Sequence, residues 1–372
     1  MVDTRKFVLL TLMLLVTLLG VSGCQLGRFV FYNFADISDH KKFQNRVVHR
    51  DTSHFEFFQT ETGRHPKKMI GLDQKEVSFE EFLHQTNTVS FLIIQNDTLQ
   101  YESYFHHYTD SSIIPSFSIS KSVISILIGC AIDDSLISSV EDPITKYLPE
   151  LEDKNLKKVK IKHLLQMTSG IDFNESYSNP FGDAAAFYYG TNLRKKTLRL
   201  TLKETPGTHF EYISGNTQLL AMILESVLAS KNVSHYLETK IWKPLNMEFD
   251  ASWSIDKNDE GIEKAFCCIN ARARDYAKIG RLYANKGNWN GTQIVSEQWV
   301  EQSTKIDTSE ASVNYYQYSW WLPSPDGDFI AEGILGQLIY IHPKKNLIIV
   351  RMGKNEGSTD WWGMMKSLAS SY

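Results

Sequence analysis

The stretch Ser116–Leu136, SFSISKSVISILIGCAIDDSL, limits the architectures open to this chain more than any other segment. Ile119, Val123, Ile124, Ile126, Leu127, Ile128, Ala131 and Ile132 point in nearly every direction around a helix. A helix that is apolar all round has to be buried. The chain has 372 residues, 42% of them hydrophobic, which is enough material to surround such a helix with one large core or two modest ones.

Lys121 stands out inside this run, three residues after Ser118 and therefore on the same helical face. Burial disfavours the charged form of a lysine. A neutral amine beside a serine hydroxyl can take its proton and turn the serine into a nucleophile. A serine in the first turn also presents its backbone N–H toward a developing oxyanion. The bare S-x-x-K pattern recurs at Ser38–Lys41 and Ser254–Lys257, neither of which continues into an apolar helix. A helix-capping serine with a snorkelling lysine is the structural alternative for Ser118 and Lys121.

The first residues read as a processing signal. Arg5 and Lys6 precede an apolar run from Phe7 to Leu19, and small residues follow up to Cys24. That is the layout of a secretory signal, and the run is short for a transmembrane span. Val21-Ser22-Gly23-Cys24 resembles a bacterial lipoprotein box. The resemblance implies removal of residues 1–23 and lipidation of Cys24. The mature protein would then be anchored to a membrane on its periplasmic or cell-surface face. The other cysteines are Cys130, expected in the core, and the adjacent Cys267 and Cys268, which are expected to be structural and could pair with each other only under strain. The spacing suggests neither a disulfide framework nor a zinc site. A net charge of −4 gives no support to a nucleic-acid partner.

Residues 24–80 are polar with scattered aromatics and read as a tether and N-terminal extension lying on the main body. Residues 81–372 form the candidate catalytic domain. Val89–Phe105 suggests a hairpin turning at Asn96-Asp97. Helical patterns cover Ile161–Gly170, Asn216–Leu228 and Ala271–Gly287. Phe329–Gly353 suggests two strands around Pro343-Lys344-Lys345-Asn346, and Thr359-Asp360 caps a final helix. Strands at both ends around a helical middle indicate an α+β fold.

SFSISKS after a hairpin, followed in order by DPITKYLPEL, IKHLLQMTSGI, PGTHFEYISGNTQLL and ARDYAKIGRLY, resembles the serine β-lactamase and penicillin-binding superfamily. The likeness is to its class C-like branch of esterases, D-amino-peptidases and 6-aminohexanoate-dimer hydrolases. It implies an antiparallel sheet flanked by helices, a mainly helical second lobe, and a site between them. It also implies an acyl-enzyme on Ser118, with Lys121 and Tyr212 handling the proton and Ser214 closing a Y-x-S motif. The substrate would be a small molecule or a peptide, with no cofactor or metal. The third motif, normally a lysine or histidine before a glycine, reads Glu332-Gly333-Ile334-Leu335-Gly336-Gln337 on the matching strand. Gly336 is expected to give close backbone approach and the Gln337 N–H to donate to the oxyanion. Loss of the motif's cation removes a docking point for a substrate carboxylate, which favours esterase or amide-hydrolase activity over β-lactamase activity. Asp172, Asn174 and Glu175 are candidates to line the cleft. Trp320, Trp321, Trp361 and Trp362 are expected mainly in the core. The competing reading is a catalytically silent lipoprotein that binds cell-wall fragments or a protein partner in the same cleft.

Overall fold

The computed structural model describes residues 34–229, 231–258 and 260–372. The expected signal, Cys24 and the start of the tether lie outside the described residues. Among those described, no helix is long and apolar enough to cross a membrane.

Eight strands form the main sheet, in the order Tyr316–Gln317, Trp320–Trp321, Phe329–Gly333, Gln337–His342, Leu347–Gly353, Thr88–Gln95, Thr98–Tyr104 and Phe58–Gln59. Neighbours are antiparallel except Phe58–Gln59, which runs parallel to Thr98–Tyr104. The central strands are apolar at nearly every position because both faces are covered. Side chains alternate between two cores, as the two-residue repeat of a strand requires. Leu338, Tyr340, Leu347 and Ile349 pack with the helices Phe79–Gln85 and Trp361–Ser370. Ile339, Ile341, Ile348 and Val350 face the larger core. There the helix Ala273–Ala284 lies so close that a Cβ on Gly280 would sit 2.9 Å from Ile348.

The 89–105 hairpin forms as expected, with Asn96 at φ 50° and Asp97 at φ 61°. That pair of left-handed residues matches the twist of the strands it joins. The all-apolar stretch is the buried helix Ile119–Asp133. It packs between the strand Phe329–Gly333 on one side and the helix Ser214–Val227 of the helical lobe on the other. That lobe also contains Ile161–Leu165 and Asp183–Tyr189. A second sheet runs in the order Gln44–Val48, Ala251–Ile255, Ile269–Ala271, Ile114–Pro115 and leads directly into the Ser118 turn.

Three boundaries differ from the sequence reading. The helix expected from Asn216 begins at Ser214, because Asn216 is buried and accepts a 2.6 Å bond from Ser169 Oγ instead of capping. The helix expected to reach Gly170 ends at Leu165, with Met167 at φ 60°. The carboxy-terminal segment holds three strands rather than two, because the chain turns at Leu335 (φ 67°) and Gly336 (φ 76°). Cys130 is a buried free thiol, whereas Cys267 and Cys268 form a disulfide with each other.

Candidate active site

Ser118 is presented by a tight turn. The preceding Phe117, fully buried, sits at φ 44°. A non-glycine residue there costs on the order of 1–3 kcal/mol and persists only where its surroundings enforce it. Ser116 supplies that restraint. Its N–H donates to Ile269 O at 2.7 Å and its Oγ accepts from Ile269 N at 3.1 Å, so the turn is tied to the second sheet on both sides. The Ser118 side chain makes no capping bond, which leaves its hydroxyl free for other work.

Lys121 Nζ lies 2.9 Å from Ser118 Oγ and donates to Phe266 O at 3.0 Å. The lysine is 2% exposed. Burial pulls its ammonium down to about 8, against a smaller upward pull from the Glu175 carboxylate. Nζ also sits 4.9 Å from the centre of the Tyr212 ring. Burial pushes the Tyr212 phenol well above its usual range, with Tyr316 and Tyr177 adding to the shift and a hydrogen bond with Ser118 opposing it. The chain thus brings together Ser118, Lys121 and Tyr212, residues that lie 94 positions apart at the extremes (118 to 212). A hydroxyl, an amine that can be neutral near pH 8, and a protonated phenol in mutual contact can activate a nucleophile and relay its proton.

Ser214 turns to a carboxylate. Its N–H and Oγ donate to the two oxygens of Glu175 at 2.7 and 2.6 Å, and Tyr177 OH donates to the same carboxylate at 2.7 Å. Glu175 thus holds Ser214 and Tyr177, which line the cavity beside Ser118, without lining it itself. Tyr177 begins a Y-x-N match, Tyr177-Ser178-Asn179, that motif order passed over in favour of Tyr212.

The third-motif expectation needs correction. Gly336 and Gln337 do not line the cavity beside Ser118, whereas Ile334 and Leu335 do. The reason is the turn at Leu335 and Gly336, which replaces one continuous strand by two. Gly336 packs on Arg351, whose Nη1 would lie 1.9 Å from a Cβ there and donates to Gly336 O at 2.6 Å. Gln337 opens the next strand and its side chain exchanges two hydrogen bonds with the Gly353 backbone. The close approach comes from Gly333, where a Cβ would meet Ser116 O at 2.4 Å and Ser118 N at 2.9 Å.

Of the four tryptophans, Trp320 and Trp361 are buried as expected. Trp321 stacks on Tyr212 with ring centres 5.5 Å apart and touches Trp362. Trp362 Nε1 donates to Glu332 at 3.1 Å, and burial pushes that carboxyl up to about 7. Among the described residues, no group of three or more His, Cys, Asp or Glu is placed to hold a metal ion.

A family model described as Beta-lactamase matches residues 78–360. A 6-aminohexanoate-dimer hydrolase of Paenarthrobacter ureafaciens is 26% identical over 312 residues, covering 78% of this chain and 79% of that protein. Among solved structures, a Bacillus anthracis protein assigned as a 6-aminohexanoate-dimer hydrolase superposes with a TM-score of 0.76 at 23% identity, over 88% of this chain and 89% of that one. A D-stereospecific amidohydrolase from Streptomyces sp. superposes with a TM-score of 0.57 at 16% identity, over 76% and 94%. The two structural likenesses show a common fold, and the family match spans most of the chain. The chain belongs to the beta-lactamase family and carries its hydrolase fold.

Proposed function

We propose that this protein hydrolyses an ester or amide through an acyl-enzyme on Ser118. The observation that carries the reading is the buried Lys121 amine 2.9 Å from Ser118 Oγ, with its charge weakened by burial. Neutral Lys121 takes the hydroxyl proton as Ser118 Oγ attacks the carbonyl carbon. Tyr212 gives its proton to the departing alcohol or amine oxygen or nitrogen and recovers one from Lys121. Water then attacks the acyl carbon and leaves the carboxylic acid, with Ser118 restored. The oxyanion is held by the Ser118 N–H and by the peptide that follows Gly333, the residue packed against Ser118 N.

Among the described residues no lysine, arginine or histidine lines the cavity beside Ser118, so carboxylate-bearing β-lactams and D,D-peptides lack an anchor there. The similarity to a 6-aminohexanoate-dimer hydrolase and to a D-stereospecific amidohydrolase supports a small amide or ester. Lipidation of Cys24 would hold the enzyme at a membrane surface outside the cytoplasm.

A hydrolysis screen tests this reading: aryl esters, linear 6-aminohexanoate dimer, short D-amino-acid peptides and nitrocefin. At least one ester or amide is expected to be cleaved, with nitrocefin poor, and Ser118→Ala is expected to abolish turnover. Turnover that survives Ser118→Ala contradicts the proposal.

A further inference from the structure

The cavity beside Ser118, about 310 Å³, is walled on one side by residues that precede the family segment. Phe34 and Ala35 line it together with Ile334 and Leu335, although the family match begins at residue 78. We propose that residues 34–43 complete the acyl-binding pocket and that this pocket admits uncharged, apolar acyl groups while rejecting anionic ones. The inference rests on the acyl-enzyme reading and names the substrate class it serves.

The segment is anchored from Ile37 onward, while Phe34 at the cavity edge is 58% exposed. Ile37 is 4% exposed and Asp39 is 2% exposed. Asp39 accepts a 2.7 Å bond from Tyr188 OH and pairs with Lys42 at 2.6 Å. Tyr188 is itself a wall of the cavity. Phe43 packs edge-on against Tyr188 at 5.1 Å. Lys264 Nζ lies 4.7 Å from the centre of the Phe43 ring and donates to the carbonyls of Phe187 and Tyr188 at 3.2 and 2.7 Å. Directly after this clamp, Gln44–Val48 pairs with Ala251–Ile255. The wall helix Asp183–Tyr189 and the N-terminal segment therefore hold each other, and neither side of the pocket is set without the other.

The chemistry of the lining selects the ligand. Ala184 and Ala185 leave room that larger side chains would fill, and Phe117, Phe266 and Leu335 make the surface apolar. Burying an aliphatic or aryl acyl group there removes apolar surface from water. The size lies at the lower end for ligand cavities, which suits a small to medium acyl group. Among the described residues, no lysine or arginine lines this cavity, and its single charged lining residue is Glu356. Glu175 adds a second carboxylate behind Ser214. An acyl group ending in a carboxylate would be desolvated without a counter-charge and next to like charge.

The test compares kcat/KM for p-nitrophenyl esters on the full chain. The hexanoate-to-acetate ratio is expected to fall about tenfold or more in Ala35→Trp, which narrows the pocket from the N-terminal segment, and likewise in Ala185→Trp, which narrows it from the helix. A p-nitrophenyl glutarate monoanion is expected to be at least about tenfold poorer than the valerate of equal length. Thermal unfolding of each variant checks the fold. Should Ala35→Trp not fold, Phe34→Ala reads the same wall by widening it, and the octanoate-to-hexanoate ratio is expected to rise. An unchanged ratio in Ala35→Trp or Phe34→Ala, or glutarate turned over as well as valerate, overturns the inference. Ester hydrolysis that persists in Ser118→Ala instead overturns the acyl-enzyme reading, whatever the chain-length ratios show.

Discussion

In the proposed mechanism the chemistry turns on Lys121, and its protonation should be visible in the rate. Only the neutral amine can accept the Ser118 proton, so kcat/KM is expected to rise with pH through a limb near 8 and level off above it. The Glu175 carboxylate raises the lysine's proton affinity, so Glu175→Gln should move that limb to lower pH. Glu332, held up to about 7 by burial, titrates nearby, and Glu332→Gln should leave the limb in place. A pH–rate profile of the three proteins decides this, and a limb that follows Glu332 instead contradicts the assignment. The Ser118–Lys121 pair was legible in the sequence because a costly charge sat in a run apolar on all sides. Tyr212 was legible only through motif order, since Y-x-[NS] recurs along the chain. The Ser214–Glu175–Tyr177 bonds were not legible, because they depend on how an aperiodic loop folds back.

Among elements, the strand Phe329–Gly333 and its turn matter most. Glycine at 333 lets the strand lie against the nucleophile turn, and the atoms a Cβ would strike are backbone, which cannot swing aside. Gly333→Ala should therefore push strand and turn apart. A displacement approaching 1 Å lowers turnover about a hundredfold. Activity near wild type in a folded Gly333→Ala variant contradicts the placement. The turn after this strand is braced from behind by Arg351, which also donates to Thr86 O and Asn355 O and lies 3.7 Å from the Trp361 ring centre. The apolar pattern of 329–353 correctly marked strands, since alternation between two cores reads as a continuous hydrophobic run. It missed the break at 334–336, because Leu335 carries no turn chemistry and Gly336 was read as a close-approach glycine within a strand. The same limit put the close backbone approach at Gly336 rather than Gly333.

At the scale of the whole molecule, the sheet flanked by helices and the helical lobe were legible from the order of patterns. The role of the N-terminal region was less so. Polar composition suggested a tether and an N-terminal extension lying on the main body, and from residue 34 the chain is woven further, into both sheets and into the pocket wall through Asp39 and Phe43. A few buried anchors decide such a path, and composition does not register them. Lipid attachment at Cys24 predicts that Cys24→Ala leaves the membrane fraction on cell fractionation, and continued tight retention contradicts it. The proposed mechanism depends most on one alcohol being activated by one buried amine. The most direct measurement is covalent trapping of the intact protein with a fluorophosphonate, followed by peptide mass spectrometry. The prediction is a single adduct on Ser118 that disappears in Lys121→Ala. An adduct on another residue, or undiminished labelling of Ser118 in Lys121→Ala, contradicts it.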